Sequence, residues 1–212
     1  MTLFNYYTVK ENGFHEIIIQ KSRFITYLAR VTSEQEAQSF ITTIKKQHSD
    51  ANHNCSAYVI GEQNDIQKAN DDGEPSGTAG VPMLEVLKKR DLRNTAVVVT
   101  RYFGGIKLGG GGLIRAYGSS VSEALNAIGV VERVSHDVIE VTVDYTWLGK
   151  LENELRATVH IIDQIHYLDN VQIDVLVNSN DVTSFTNWMT NLTNGQAVMN
   201  QNGSRYIERP LA

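Results

Sequence analysis

The chain has 212 residues, enough for one or two domains with a buried core, and 42% hydrophobic with 20% charged residues is the balance of an ordinary soluble protein. A net charge of -5 excludes a basic surface spread over the whole molecule, and the single cysteine, Cys55, excludes an internal disulfide and a multi-cysteine zinc site. No run of about eighteen apolar residues and no signal-peptide pattern is present, so the expected compartment is the cytoplasm, with no membrane contact.

Residues 6–10 and 15–20 predict two strands joined by Glu11-Asn12-Gly13-Phe14, because Asn-Gly is the strongest short hairpin signal. A third strand follows over 23–31. Ser33 and Glu36 form a capping box ahead of Ala37, Phe40, Ile41 and Ile44, whose spacing predicts a helix ending near His48. Residues 55–60 read as a strand, 61–80 as one long polar loop, and Pro82 as the first turn of a short helix through Leu87. After a turn at 91–94, the apolar run 97–100 predicts a strand. Leu113, Ala116, Tyr117, Val121, Ala124, Leu125 and Ile128 then recur at helical spacing, and Gly129 ends that helix. The first part reads βββαβαβα.

Composition changes after Val134. Residues 1–134 carry 15 basic and 14 acidic side chains, whereas 135–212 carry 4 and 10. Any nucleic-acid contact therefore belongs to a local patch of the first part. The second part predicts a strand over 138–143, a helix over 147–159, strands over 161–167 and 171–177, a helix over 181–192 and a last strand over 196–200. That βαββαβ order is the split pattern of a ferredoxin-like domain. The expected class is α+β with two domains, 1–134 and 135–212.

The residues with most to say about chemistry lie between the strand at 97–100 and the following helix: Arg101-Tyr102-Phe103-Gly104-Gly105, Lys107, then Gly109, Gly110, Gly111 and Gly112. The first turn of a helix has backbone N–H groups without partners at the positive end of the macrodipole, so this order predicts an anion seat. Arg115 stands in the first turn, where the dipole disfavours a cation, and Arg101 and Lys107 lie just upstream. Something negative should offset them. No Gly-Lys-Ser/Thr closes the run and its spacing is not that of a dinucleotide fingerprint, so neither an NTPase nor a dehydrogenase is indicated. The competing account is that the glycines only allow a sharp turn and close packing.

The negative group is either a phosphate or the chain's own Asp71, Asp72 and Glu74. Three carboxylates within four residues suit Mg²⁺ or acid–base work, yet such a cluster more often pairs with arginine, and Arg101 and Arg115 are the obvious partners. His53 and Cys55, two apart, project to one face of a strand as a Cys/His pair would, although a cysteine leading into an apolar strand is more often simply buried. Tyr102 and Phe103 beside Arg101 have the mixture that stacks bases, and alternation exposes only one of them. Lys88, Lys89, Arg90 and Arg93 read as a solvated helix end.

The segments NDDGEPSGTAGVPMLEVL and VVVTRYFGGIKLGGGGLIRAYG, SRF at 22–24 and HNCSAYVIG from His53 resemble the bacterial branch of the IMPACT family over about residues 22–130. Gly110 and Gly111 depart from the expected pattern of one glycine and a small polar residue, which leaves the turn intact. The resemblance implies a first domain like the second domain of small-subunit ribosomal protein five and a second like domain five of elongation factor G. Eukaryotic relatives regulate translation initiation through a partner of the kinase that senses uncharged tRNA, using a further N-terminal domain that is absent here.

The expected function is a non-catalytic binding protein of translation or its regulation, contacting RNA, the ribosome or a translation factor without DNA-specific readout. Its seat would be Arg101, Lys107, Gly109, Gly110, Gly111, Gly112 and Arg115, shaped by Asp71, Asp72, Glu74, His53 and Tyr102. No catalytic residue, metal ligand or cofactor is assigned. The alternative is a metal-dependent enzyme on a phosphorylated or nucleotide substrate using the Asp/Glu loop, and the acidic second part is a possible dock for a basic protein.

Overall fold

The apolar runs of the first part become the middle of a five-stranded antiparallel sheet in the computed structural model, which describes residues 5–211. In chain order the elements are β1 (Tyr6–Val9), β2 (Gly13–Ile19), β3 (Ser22–Arg30), α1 (Glu34–Gln47), β4 (His53–Ile60), β5 (Ile66–Asn70), α2 (Gly80–Lys89), β6 (Thr95–Tyr102) and α3 (Gly109–Ile128). Two units are distinguished, Tyr6–Arg133 with 209–211 and Val134–Glu208 with Asn5.

The sheet of the first unit runs β2-β3-β6-β4-β5. β4 and β6 are buried almost throughout because helices cover both faces. On one face Ala37, Ile41 and Ile44 of α1 meet Tyr58, Ala96 and Val98. On the other, Met83 and Leu87 of α2 and Tyr117 and Val121 of α3 meet Phe24, Cys55, Val97 and Val99. Ser33 caps α1 as expected, its hydroxyl accepting from Glu36 N at 3.2 Å, while the Glu36 carboxylate reaches back one residue further, to Thr32 N at 2.6 Å.

Asn12-Gly13 does not make the expected hairpin. A two-residue hairpin turn of that type needs positive φ at both positions, and neither residue has it. Asn12 Oδ1 instead accepts from Arg30 N, and β1 leaves to pair with Val130, Val131, Glu132 and Arg133. The tight hairpin is β2–β3, turned by Gln20 and Lys21 at φ of 44° and 67°. Those residues carry no turn signal, and the conformation is held from outside: a Cβ on Gly104 would stand 2.1 Å from the Lys21 carbonyl, and Gly104 N donates to Ser22 Oγ. The loop after β6 is thereby seated on this turn. Within the expected 61–80 loop lies β5, all five of whose residues are exposed, so no apolar alternation announces it.

In the second unit β7 (Val130–Val143, beginning in the first unit), a single 3₁₀ turn (Tyr145–Trp147), α4 (Leu148–Arg156), β8 (Ile161–Tyr167), β9 (Val171–Asn178), α5 (Val182–Leu192) and β10 (Val198–Pro210) follow. β9 lies between β7 and β8, and β10 pairs with β7, which is the split βαβ arrangement of a ferredoxin-like sheet. Ile139, Val141, Ile173 and Val175 face Leu151, Leu155, Phe185 and Met189. β10 runs thirteen residues through Asn202-Gly203, which read as a stop in sequence, and β7 begins eight residues before the expected 138.

Asp71 replaces the missing cap of α2, whose N-cap position is Ala79. Its carboxylate accepts from Gly77 N at 2.8 Å, Ala79 N at 3.0 Å and Gly80 N at 2.8 Å. Burial raises its pKa, but the three N–H donors outweigh it and hold the carboxyl below its usual value. A depressed folded value means the contribution is complete above about pH 4 and lost as the pH falls through that lowered value. Asp71→Asn should therefore cost about 1 kcal/mol at pH 7, as cap removals do, and the gap from the parent protein in denaturant melts should close below about pH 4. The strained turn gives a second outcome: Gln20→Asn with Lys21→Gly should raise stability by about 1 kcal/mol in the same assay.

Candidate functional site

Antiparallel pairing of His53 with Arg101 and of Cys55 with Val99 puts all four side chains on the α2/α3 face of the sheet. Arg101 is buried there and bonds Glu74 at 2.6 Å, with 7% and 4% of the two side chains exposed. The Tyr117 hydroxyl donates to the same Glu74 oxygen at 2.8 Å, and His53 Nε2 lies 3.8 Å from the other. The guanidinium stacks between two rings, 5.4 Å from Phe24 and 5.6 Å from Phe103. Removing either charge of such a pair leaves the other buried and uncompensated, at a cost of about 3–5 kcal/mol.

The acidic loop is thus engaged residue by residue. Asp71 caps α2, Glu74 holds Arg101, and Asp72 takes Lys45 of α1 at 2.5 Å and Asn54 N at 2.6 Å. His53 Nδ1 meets the Asp72 carbonyl oxygen at 2.9 Å. Arg115, expected as a partner of this loop, does not reach it; Lys45 has the place. Lys45 carried no signal in the sequence, because it sits in the last turn of a helix 27 residues earlier, where cations are ordinary. The carboxylates that a metal-dependent enzyme would draw on are therefore occupied, and among the described residues no group of three or more His, Cys, Asp or Glu is arranged to hold a metal ion.

Cys55 and His53 share a face, as their spacing required, but they do not form a nucleophilic pair. Cys55 is fully buried, its thiol is pushed up to about 12, chiefly by burial, and it donates to the Asp71 carbonyl at 3.0 Å. Tyr102 is on the opposite face from Arg101, bonded to His48 Nδ1 at 2.9 Å and to Asp50 at 3.0 Å. It does not shape the seat. Phe103 does, 44% exposed beside Arg101.

The end of α3 faces this cluster. Its N-cap residue, Leu108, offers no side-chain bond, and the first turn holds no acidic residue. Gly109 has φ of 69°, which explains one glycine. The next is unexplained by the fold: Gly110, inside α3, has no positive φ, and a Cβ there would meet nothing within 4 Å. Close packing is therefore not the reason for it. Because α3 starts at Gly109, Arg115 is its seventh residue and not in the first turn as expected, but its side chain leans back along the helix, with Nη1 3.8 Å from where a Cβ on Gly111 would stand, which carries its charge toward the positive end of the dipole. Neither Arg115 nor Lys107 has an ion-pair partner among the described residues. Glu74, Arg101, Phe103, Lys107, Gly109 and Gly110 border one cavity of about 320 Å³. The structure thus brings together Arg101, Lys107, Gly109, Gly110 and Glu74 there, and leaves Arg115 above the helix end.

Comparison with known proteins agrees with this two-unit reading. Residues 20–125 match the model of the Impact N-terminal domain, and residues 141–196 match a domain of unknown function, DUF1949. The chain is 62% identical over 209 residues to IMPACT family member YvyE of Bacillus subtilis, covering 99% of this chain and 96% of that one. It is 41% identical over 97 residues to a Protein IMPACT homolog of Dictyostelium discoideum, 43% of this chain and 27% of the relative. A solved structure described as that of a hypothetical protein superposes with a TM-score of 0.60 at 30% identity, covering 95% of this chain and 99% of its own. With both domains matched and nearly the full length shared with such a relative, the chain belongs to the bacterial branch of the IMPACT family.

Proposed function

We propose that this protein is a non-catalytic binding protein of translation or its regulation, and that it holds RNA phosphate at the N-terminus of α3. The observation that carries the reading is Arg115 folded back over an uncapped helix end, beside an unpaired Lys107 and a glycine, Gly110, that the fold does not need. A cation at that place is unfavourable by about 0.3–1 kcal/mol until an anion arrives, after which helix N–H groups, Lys107 and Arg115 all point to one charge. Arg101 serves as a wall of the seat, its charge already spent on Glu74. The translation context is what membership of the IMPACT family implies, and the phosphate chemistry is what the geometry adds. Such contacts fix a backbone without reading bases.

Binding governed by phosphate contacts weakens steeply with salt. Co-sedimentation with ribosomes, and direct binding to a single-stranded RNA, should both fall as salt rises. Lys107→Ala and Arg115→Ala, two exposed positions with no partner to strand, should each lower affinity and reduce the salt slope by about one unit. Unchanged RNA and ribosome affinity in the folded double variant would remove this site from consideration. Gly110→Ala separates function from fold: it should leave stability unchanged or raise it by up to about 1 kcal/mol, while weakening RNA binding because the methyl group stands where the ligand approaches. A melt that moves up with affinity intact would mean that nothing comes close at Gly110.

A further inference from the structure

The seat does not end at the helix terminus. The cavity of about 320 Å³ beside it falls at the small end of ligand pockets, and its two ends differ in chemistry. At the mouth are Lys107, Gly109 and Gly110, which suit phosphate. The wall is apolar, made by Pro75, Phe103, Leu108 and Leu113, and the floor is the Arg101–Glu74 pair.

The floor is incompletely bonded. Arg101 is more than nine-tenths buried and spends one terminal nitrogen on Glu74, yet its Nε–H has no acceptor. Buried donors are nearly always paired, so this one marks Arg101, a residue that borders the cavity, as incompletely bonded. Next to it, Glu74 Oε1 already takes Arg101 and Tyr117, while Oε2 has only His53 Nε2 at 3.8 Å. Arg101 and Glu74, the two polar residues of the floor, thus each keep bonding capacity that the chain does not use fully. The slot also contains an exposed aromatic face, Phe103, already stacked with a guanidinium.

We propose that this cavity takes the base of one unpaired nucleotide, with that nucleotide's phosphate on the α3 terminus. The proposal rests on the reading of that terminus as a phosphate seat. A base has the matching surface: flat apolar faces for Phe103, and a polar edge with donors and acceptors for Glu74 and Arg101. The carboxylate at the floor repels phosphate, so the orientation is fixed, base inward and phosphate at Lys107. A phosphorylated amino-acid side chain has the charge but lacks the face. The same unit occurs in a single-stranded RNA and in a free mononucleotide, and the binding of each separates the two sources.

The test is titration of the full chain at low salt, by calorimetry or amide chemical shifts, with inorganic phosphate, O-phosphoserine, guanosine and uridine 5′-monophosphates, and a five-nucleotide RNA in single-stranded and duplex form. Nucleotides should bind at least tenfold more tightly than phosphate or phosphoserine, the usual gain from stacking one base. Phe103→Ala should bring nucleotide affinity down to that of phosphate measured on the same variant, and Phe103→Tyr, which keeps the aromatic face, should retain the gain. Single-stranded RNA binding above both mononucleotide and duplex assigns the site to an unpaired RNA position; equal affinity for the free nucleotide assigns it to a soluble one. Nucleotides that bind no better than phosphate would overturn the base site while the phosphate seat stands. Absence of binding by phosphate and RNA alike would overturn the seat beneath it.

Discussion

The buried pair between Arg101 and Glu74 is the constraint on which this part of the molecule depends. Arg101 belongs to the central strand and Glu74 to a loop that begins only where β5 ends, so the pair ties a segment with few apolar residues to the sheet. Two charges with less than a tenth of their side-chain surface in water are tolerable only when each is well bonded, and here Tyr117 from α3 and the rings of Phe24 and Phe103 complete the surroundings. Sheet, loop and α3 thus meet at one carboxylate. Asp71 and Asp72 act around it, one turning the loop into α2 and the other holding α1 through Lys45. A loop so thoroughly bonded is scaffold, and its carboxylates are not spare ligands.

With Arg101 neutralised inside, the positive character of the site passes to groups that nothing among the described residues balances. These are the free N–H groups of α3, Lys107 and Arg115. The arrangement differs from an ordinary helix start, which places Asp, Glu, Ser or Thr where this one has Leu108 and glycine. It also differs from a packing glycine such as Gly104, whose missing Cβ is demanded by the Lys21 carbonyl. Two glycine positions a few residues apart therefore differ: packing within the chain demands the first and does not account for the second.

Much of this could be read from the residues alone. Periodic patterns, with Pro82 for the short α2, located the five α-helices of the described residues and most strands, and the order of the second unit followed from strand and helix signals even though several ends were misplaced. The order strand, glycines and helix was legible too, and it is what the proposed seat is built on. What could not be read depended on contacts distant in sequence. Gln20 and Lys21 turn because Gly104 packs on them, so the visible Asn12-Gly13 signal lost to one with no local mark. β5 has no buried face, hence no periodicity. Asp72 chose Lys45 over Arg115 because α1 lies against that edge of β4, which only topology decides. Tyr117 looked like any core position on α3, and its hydroxyl matters only because Glu74 is above it.

The features at the end of α3 are each small in energy: a misplaced cation of about 0.3–1 kcal/mol and a helical glycine of about 0.5–1 kcal/mol. Against a total stability of roughly 5–15 kcal/mol such costs are easily carried, and none of them would be notable alone. Their concentration is the point. The other two helices of the unit are locally consistent, with Ser33 capping α1, Asp71 capping α2 and basic residues in the last turns of both. A sequence that obeys capping and dipole rules at two helices and breaks them together at the third, beside a cavity bordered by a residue with an unbonded buried nitrogen, has its exception where the proposed phosphate would supply what is missing. The negative charge and the acceptor that would complete α3 and Arg101 are absent from the chain's own described residues, and a nucleotide carries both.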